Sequence, residues 1–185
     1  MIKDTLREAA ERMQAALDAL EEDLSSIRTG RASPSLIERL PVEYYGANTP
    51  LIQLASISVP EPRQLLIRPF DPSTIKNIER AILASDLGLT PNNDGKMIRL
   101  SLPQLTEERR RELVRAVQNR MEETRVRIRN VRRDIIRDLR DFEKESLISE
   151  DEQERGEKEL QELTDKLSKK VDEIGARKEV EIMEV

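Results

Sequence analysis

The sequence predicts an α+β protein, a long three-helix bundle with a small β/α/β domain inserted into it. All nine prolines lie between Pro34 and Pro103, so the flanking segments 1–33 and 104–185 lack the residue that interrupts helices. Apolar residues recur in both flanks every three or four positions, which is the period of an amphipathic helix. Between the flanks, short β-prone runs alternate with proline and glycine, as strands and turns do.

The N-terminal flank predicts the first long helix, which we expect to end near Thr29-Gly30. Glycine suits the left-handed residue that ends many helices, and Pro34 follows closely. The apolar face of this helix consists of Leu6, Met13, Leu17, Leu20, Leu24 and Ile27, with Ala9 or Ala10 filling the gap.

The middle segment, 31–104, predicts the small domain. We expect strands at 42–45, 54–59, 65–68 and 97–102, a turn at 92–95 and one helix at 73–85. Tyr44 and Tyr45 are expected in its core. The chain enters this domain near Gly30 and leaves it near Pro103, so two segments connect it to the bundle, and a paired connection permits hinge motion more readily than free tumbling.

The C-terminal flank predicts the second and third long helices. The second begins at Glu107 and ends near residue 145, and the third begins at Ser149, where Ser149 and Glu152 form a capping box. Their apolar faces consist of Leu113, Val117, Met121, Thr124, Ile128, Val131, Ile135, Leu139 and Phe142, and of Leu160, Leu163, Leu167, Val171 and Ile174. No single face can be buried alone, so segments 1–30 and 105–185 predict one discontinuous bundle. A coiled-coil dimer is the alternative, but the short connection at 145–149 favours an antiparallel hairpin within one chain.

The composition argues against catalysis. The chain has no cysteine and no histidine, which removes thiolate chemistry, the usual general base and the commonest metal ligand. We therefore expect no enzyme activity, no cofactor, no metal site and no small-molecule substrate.

The N-terminal MIKDTLREAAER has neither a signal-peptide nor a transit-peptide pattern, and no stretch approaches the ~18 apolar residues of a membrane span. These features predict a cytoplasmic protein without a membrane partner.

Positive charge is concentrated in the second long helix. The net charge of −5 divides into −3 for residues 1–30, +1 for 31–105, +3 for 106–145 and −6 for 146–185. Residues 109–140 hold twelve arginines, no lysine and five acids. At about 100° per residue, seven arginines fall within an arc of about 100° beside the apolar face, and most of the acids fall on the far side. The seven are Arg111, Arg115, Arg125, Arg129, Arg132, Arg133 and Arg140.

This one-sided arrangement favours docking on a large polyanion. A guanidinium group binds phosphate through two parallel hydrogen bonds and stacks on bases, which makes RNA the leading candidate. Two alternatives stay open on the residues alone. One is a solvated helix face laced with ion pairs, and the other is an arginine bias that reflects genome composition or adaptation to heat.

Six short motifs in this chain resemble those of the bacterial ribosome recycling factors, over the full length and with the family's spacing. They are RTGRASPS at 28–35, VEYYG at 42–46, TPLIQLAS at 49–56, ASDLGL at 84–89, LPQLTEERR at 102–110 and RNVRRD at 129–134. The resemblance implies an L-shaped protein that is similar in outline to a transfer RNA. It also implies a non-enzymatic factor that binds the ribosome after termination and, with elongation factor G and GTP, separates the subunits and frees mRNA and tRNA.

The resemblance implies that Arg129, Arg132 and Arg133 contact large-subunit ribosomal RNA, and the helical projection adds Arg125 to this set. Related RNA-binding roles near the hinge are implied for Arg28, Arg31 and Arg110, while the hinge residues are Thr29, Gly30, Leu102, Pro103, Gln104 and Leu105. The alternative role of Arg110 is structural, as an arginine that covers the core or binds backbone carbonyls. For Arg28 and Arg31 the alternative is capping of the helix end.

Two functional classes make different predictions. A ribosome-binding factor is expected to be a monomer whose affinity for its RNA falls steeply as salt rises. The competing class is a coiled-coil adaptor or chaperone whose long helices oligomerise, and it predicts a stable dimer with weak dependence on salt.

Overall fold

The computed structural model describes residues 1–184, which form two compact units. One unit comprises Met1–Arg28 and Glu107–Glu184, and the other comprises Thr29–Thr106. In chain order the elements are α1 (Ile2–Ser25), β1 (Pro41–Tyr44), β2 (Ala47–Pro50), α2 (Leu51–Leu54), β3 (Ala55–Glu61), β4 (Gln64–Pro69), α3 (Ile75–Ala84), β5 (Pro91–Asn93), β6 (Ile98–Ser101), α4 (Glu107–Lys144) and α5 (Glu150–Met183). The α+β class is confirmed. Within these residues, no helix is both long enough and apolar enough to cross a membrane.

The first unit is a three-helix bundle in which α1, α4 and α5 each pack against the other two. The largest element, α4, has 38 residues and is about 57 Å long at 1.5 Å per residue. Its predicted apolar face is confirmed, because every member from Leu113 to Leu139 is buried and Phe142 is half-buried. The three apolar faces therefore cover one another within one chain.

Helix α1 ends earlier than predicted, at Ser25 rather than near Thr29-Gly30. The side-chain hydroxyls of Ser25 and Ser26 donate to the carbonyl oxygens of Glu22 and Asp23, each at 2.6 Å. Such local hydrogen bonds compete with helical ones and favour helix ends. The prediction relied on the glycine and overlooked the two serines.

The buried face of α5 agrees with the predicted one at Leu160, Leu167 and Val171 and differs at other positions. It includes Gly156, Thr164 and Gly175, whereas Leu163 and Ile174 are only half-buried. The two glycines allow close approach, because a Cβ atom at Gly156 would lie 3.3 Å from Leu139 Cδ1, and a Cβ atom at Gly175 would lie 2.0 Å from Met121 Sδ. A hydrophobic pattern gives no signal at glycine, so the prediction chose Leu163 and Ile174 where the neighbouring Thr164 and Gly175 are buried.

The start of α5 has the predicted capping box. Ser149 Oγ accepts a hydrogen bond from the Glu152 backbone nitrogen at 3.3 Å, and a Glu152 carboxylate oxygen accepts one from the Ser149 backbone nitrogen at 2.8 Å. This second bond holds the pKa of Glu152 below its ordinary value. The cap fixes the point at which the chain turns back to pack against α4.

We expect Ser149→Ala to lower the free energy of unfolding of the bundle by about 1 kcal/mol at pH 7, because one backbone donor of α5 loses its partner. The loss should shrink in acid. Ser149 Oγ also donates to a Glu152 carboxylate oxygen at 3.1 Å, and the substitution removes this bond, which is part of what lowers the folded pKa of Glu152. The stabilisation from the lowered pKa is present above the unfolded value and is lost as the pH falls through the folded one. Urea unfolding followed by circular dichroism at pH 7 and pH 3 measures both effects. An equal loss at both pH values would contradict the ionised capping box.

The second unit holds a two-stranded hairpin, β1-β2, and a four-stranded antiparallel sheet in the order β3-β4-β6-β5, with a core that includes residues of both and of α3. The predictions for β1, β3, β4, β6 and α3 are confirmed, and the predicted ends of these elements agree with the observed ones within one or two residues. Three elements were missed: β2, α2 and β5. Strand β5 lies partly where the sequence predicted a turn, since Asn92 and Asn93 pair with β6 before the chain turns at Asp94.

The prediction that Tyr45 lies in the core is wrong, because its side chain is 85% exposed. The register Tyr44↔Ala47 leaves a two-residue loop in which Tyr45 and Gly46 have φ values of 48° and 79°. Both values are positive, as a type I′ hairpin turn requires. The turn therefore presents Tyr45 at the tip of the hairpin, while Tyr44 packs against the core of the unit.

The segments that enter and leave this unit are tied to the same turn, between β3 and β4. The Ala32 backbone nitrogen donates to the Pro62 carbonyl at 2.7 Å, and the Leu102 nitrogen donates to the Arg63 carbonyl at 2.8 Å. Just outside these anchors, Gly30 has a φ of +77°, and a Cβ atom there would lie 3.1 Å from Leu105 Cγ. Both the backbone angle and the close approach favour glycine at this position.

Candidate nucleic-acid interface

Four of the predicted RNA-binding arginines lie together on α4. Arg125, Arg129, Arg132 and Arg133 follow one another at intervals of four, three and one residue, which places them on one side of a helix. That side borders α5, because Arg125 Nη2 donates to Asp172 Oδ1 at 2.6 Å and Arg132 Nε donates to Gln161 Oε1 at 2.8 Å. We call this group the α4 arginine surface.

Carboxylates pair with half of the α4 arginine surface. Besides its bond to Asp172, Arg125 donates to Glu122 at 3.4 Å, and Arg129 Nη2 donates to Glu122 at 2.8 Å. The hydrogen bond from Arg129 holds the pKa of Glu122 below its ordinary value, and the bond to Asp172 raises the pKa of Arg125. Solvent-exposed pairs of this kind contribute little net free energy, so a phosphate group can compete for either arginine.

The other half of the surface keeps its full positive charge. Arg132 donates to the neutral amide of Gln161, and Arg133 Nη2 donates to the neutral amide of Asn130 at 3.1 Å. Among residues 1–184, no carboxylate lies within 4.0 Å of either guanidinium group. Arg132 and Arg133 are therefore the members with the most charge to offer an external anion.

The predicted separation of charge on α4 is less complete than the sequence indicated. Glu122 lies among the arginines, and α5 supplies two further carboxylates to this side, Asp172 beside Arg125 and Glu157 beside Arg140. Nearer the start of α4, Arg111 pairs with Glu107 one turn earlier. The alternative of an ion-paired helix face thus describes part of the surface, although it does not describe Arg132 or Arg133.

Arg110 lies about 22 Å from Arg125 along α4, since fifteen residues separate them at 1.5 Å per residue. Its Nη1 donates to the Met183 carbonyl oxygen at 3.1 Å, which joins the first turn of α4 to the last turn of α5. Its Nε is buried and has no hydrogen-bond partner within the described part of the chain. This geometry is that of the carbonyl-binding alternative.

Arg28 and Arg31 are exposed and lie on either side of Thr29-Gly30. In residues 1–184, neither side chain forms a hydrogen bond with the end of α1, which closes through the Ser26 backbone nitrogen and the Leu24 carbonyl. The helix-capping role is therefore not observed. The structure brings together Arg125, Arg129, Arg132 and Arg133, and it does not bring Arg110 or Arg28 into the same cluster.

The sequence prediction missed the α5 side of this interface: Gln161, Asp172 and Glu157. A usable signal existed, because the short connection at 145–149 makes α4 and α5 antiparallel. In such a pair, residues later in α4 contact residues earlier in α5. Arg125 therefore meets Asp172, Arg132 meets Gln161 and Arg140 meets Glu157.

Solved structures place this architecture in the class of translation factors. A solution structure of the ribosome recycling factor is similar with a TM-score of 0.72 and 43% identity, covering 100% of this chain and 98% of that one. A second similar structure has a TM-score of 0.62 and 46% identity, with 99% of each chain covered. It is a T. thermophilus ribosome recycling factor, described with E. coli elongation factor G bound to the E. coli post-termination complex.

The sequence comparisons define the family. Residues 20–183 match the profile of the family described as ribosome recycling factor. Ribosome-recycling factors from Roseiflexus castenholzii and Chloroflexus aggregans are 56% and 55% identical over 185 residues, with 100% of both chains covered in each case. The chain belongs to the ribosome recycling factor family, which confirms the resemblance in its motifs.

Proposed function

We propose that this protein binds the post-termination ribosome through large-subunit ribosomal RNA and, with elongation factor G and GTP, separates the subunits and frees mRNA and tRNA. The α4 arginine surface carries the proposal, because Arg132 and Arg133 present uncompensated charge on a chain of this family. The T. thermophilus relative, described with elongation factor G on the post-termination complex, supports the choice of partners.

The docking chemistry follows from the guanidinium group. Arg132 uses its Nε for Gln161, which leaves both Nη groups for two parallel hydrogen bonds to a phosphate. Arg125 and Arg129 add affinity once phosphate displaces Asp172 and Glu122. Each phosphate that the surface neutralises releases counterions from the RNA, so binding must weaken as the salt concentration rises.

The proposed action is mechanical. The bundle anchors the factor on RNA, and the GTPase displaces the small unit about a hinge formed by Thr29, Gly30 and residues 102–105. Two observations support this hinge. The anchors at Ala32 and Leu102 hold both crossing segments to the β3-β4 turn, so rotation is taken up mainly at Thr29, Gly30 and residues 103–105, with Leu102 as the fixed end of the second segment. Gly30 already occupies a backbone region that most residues avoid.

We further propose that the factor acts as a monomer in the cytoplasm, where its substrate ribosomes are, without a cofactor or a small-molecule substrate. The support for a monomer is the packing of the bundle. The apolar faces of α1, α4 and α5 meet one another within one chain, so the long helices need no second chain to bury them. Arg28, Arg31 and Arg110 are secondary RNA contacts in this proposal, and for Arg110 this role adds to its structural bond to the Met183 carbonyl oxygen.

The test is co-sedimentation with vacant bacterial ribosomes over a salt series. Arg132→Ala should weaken binding about tenfold, the scale of a hydrogen bond to a charged group, and should lower the slope of log affinity against log salt by about one. Arg127→Ala is the matched control. Arg127 is exposed and lies two residues from both Arg125 and Arg129, which at about 100° per residue puts it on the other side of α4. Equal effects of the two substitutions would contradict RNA docking through the α4 arginine surface.

A further inference from the structure

We infer that Gln161, itself held by Asp165, is the positioning residue of Arg132, and that its neutral amide orients the guanidinium group without cancelling its charge. This inference rests on the proposed RNA-binding role of the α4 arginine surface. It assigns to α5 a part in recognition that none of the sequence motifs covers, since Gln161 and Asp165 lie outside all six of them.

Three side chains form a relay from α5 to α4. Gln161 Nε2 donates to Asp165 Oδ1 at 2.8 Å, and Gln161 Oε1 accepts from Arg132 Nε at 2.8 Å. A primary amide has one donor end and one acceptor end, so the bond to Asp165 turns the oxygen toward Arg132. The arginine is then held through its Nε, and no hydrogen bond within residues 1–184 occupies either of its Nη groups.

The amide distinguishes Arg132 from its neighbours. To two other arginines of α4, α5 offers a carboxylate instead: Asp172 to Arg125 and Glu157 to Arg140. At Arg125 and Arg140, a phosphate must either displace the carboxylate or bind an ion pair whose net charge is zero. At Arg132 it meets a full positive charge, because the local partner is uncharged.

Partial burial of the contact between Arg132 and Gln161 further holds the guanidinium group in place. Arg132 and Gln161 are both half-buried, whereas the side chain of Arg129 is 59% exposed. A hydrogen bond shielded from water is stronger than an exposed one, and a long side chain held in one rotamer loses less entropy when it binds a ligand. Gln161 therefore prepares Arg132 for a phosphate before the ribosome arrives.

A double-mutant cycle on ribosome affinity tests the relay, with wild type, Gln161→Ala, Arg132→Ala and the double variant compared by co-sedimentation. Gln161→Ala should weaken binding about threefold to tenfold in the wild-type background and leave affinity unchanged in the Arg132→Ala background. The unfolding midpoint of each variant checks the fold. If Gln161→Ala weakens binding equally in both backgrounds, Gln161 acts independently of Arg132 and the inference is overturned.

A second arm reads the position of Arg132 directly, through the ¹H–¹⁵N signal of its Nε–Hε group in the free protein. Gln161→Ala should shift this signal and speed its exchange with water, and Gln161→Glu should keep it protected, because the carboxylate still accepts the bond. Gln161→Glu should nevertheless weaken ribosome binding at least as much as Gln161→Ala, since it neutralises the arginine. An Nε–Hε signal that Gln161→Ala leaves unchanged, or wild-type affinity in Gln161→Glu, would overturn the inference.

The two arms separate this inference from the proposed function. If Arg132→Ala itself leaves affinity unchanged, RNA docking through Arg132 fails, while the Nε–Hε signal still decides whether Gln161 orients the arginine. If Arg132→Ala weakens binding and Gln161→Ala does not, docking stands and the positioning role is overturned.

Discussion

Gly175→Ala is expected to lower the free energy of unfolding of the bundle by about 2 kcal/mol, although alanine in a helix interior is ordinarily favoured over glycine by about 1 kcal/mol. The reason is the contact with α4. A Cβ atom at Gly175 would lie 2.0 Å from Met121 Sδ and 2.4 Å from Met121 Cε. Met121 is buried, so it must leave its rotamer or force α4 and α5 apart.

Gly156→Ala is the matched control, because it makes the same change in the same helix. The nearest atoms to its new Cβ atom would lie 3.3 Å away on Leu139 and 3.4 Å away on Ile2. These are distances that a small shift accommodates, so this variant should be no less stable than wild type. Urea unfolding followed by the helical circular dichroism signal measures both.

Met121→Ala should partly relieve the effect of Gly175→Ala. Alone, Met121→Ala is expected to cost about 2 kcal/mol or more as a large-to-small core change. Combined with Gly175→Ala, the loss should be clearly smaller than the sum of the two single losses, because the clash disappears. Additive losses would show that the close approach of α5 to Met121 is not what requires glycine at position 175.

Gly30→Val should strain the segment that enters the small unit by about 2 kcal/mol or more. A non-glycine residue pays about 1–2 kcal/mol for a left-handed backbone, and a β-branched residue fits it least well. Contact with Leu105 adds to this, since the new Cβ atom would lie 3.1 Å from Leu105 Cγ. Proline is unsuitable for this test because it requires a φ near −65°, whereas Gly30 has +77°.

The functional expectation for Gly30→Val is loss of ribosome splitting with retained ribosome binding, because the α4 arginine surface belongs to the other unit. Light scattering with elongation factor G and GTP measures splitting, and co-sedimentation measures binding. Gly88→Val controls for backbone strain alone. Gly88 also has a positive φ, of 64°, but among residues 1–184, its own chain neighbours aside, no heavy atom lies within 4 Å of the Cβ position there. Normal splitting by Gly30→Val, or the same loss in Gly88→Val, would contradict a hinge at Gly30.

The long helices were predictable because each has a single periodic apolar face. The predicted face of α4 is buried from Leu113 to Leu139, and that of α1 is buried from Ala9 to Leu24, whereas Leu6 and Ile27 are half-buried and buried Ala16 was not predicted. The Ser149–Glu152 box marks where α5 begins. The face of α5 was less predictable, since two of its contact positions are glycines that carry no hydrophobic signal. Strands β2 and β5 were missed for a related reason. Their residues are polar or proline-containing, and they become strands only through pairing with β1 and β6.

The residues that α4 contributes to the candidate interface were predictable from the sequence, whereas their contacts with α5 were not. Helical geometry alone places Arg125, Arg129, Arg132 and Arg133 on one side of α4. Which of them keeps its charge depends on the side chains that α5 brings opposite, and that depends on the register of the α4–α5 hairpin. The difference between Gln161 and Asp172 as partners is therefore a property of the tertiary structure.

The discontinuous bundle also sets an order of assembly during synthesis. Residues 29–106 form a contiguous unit that is able to fold soon after it emerges, whereas α1 packs on α4 and α5, which are made later. At about 5–20 residues per second, the segment 107–184 takes about 4–16 s to produce. Until α4 and α5 have been made, the apolar face of α1 lacks the helices that cover it, so we expect chaperones to bind the nascent chain there. The bundle is therefore complete only when the last of its three helices, α5, has been made.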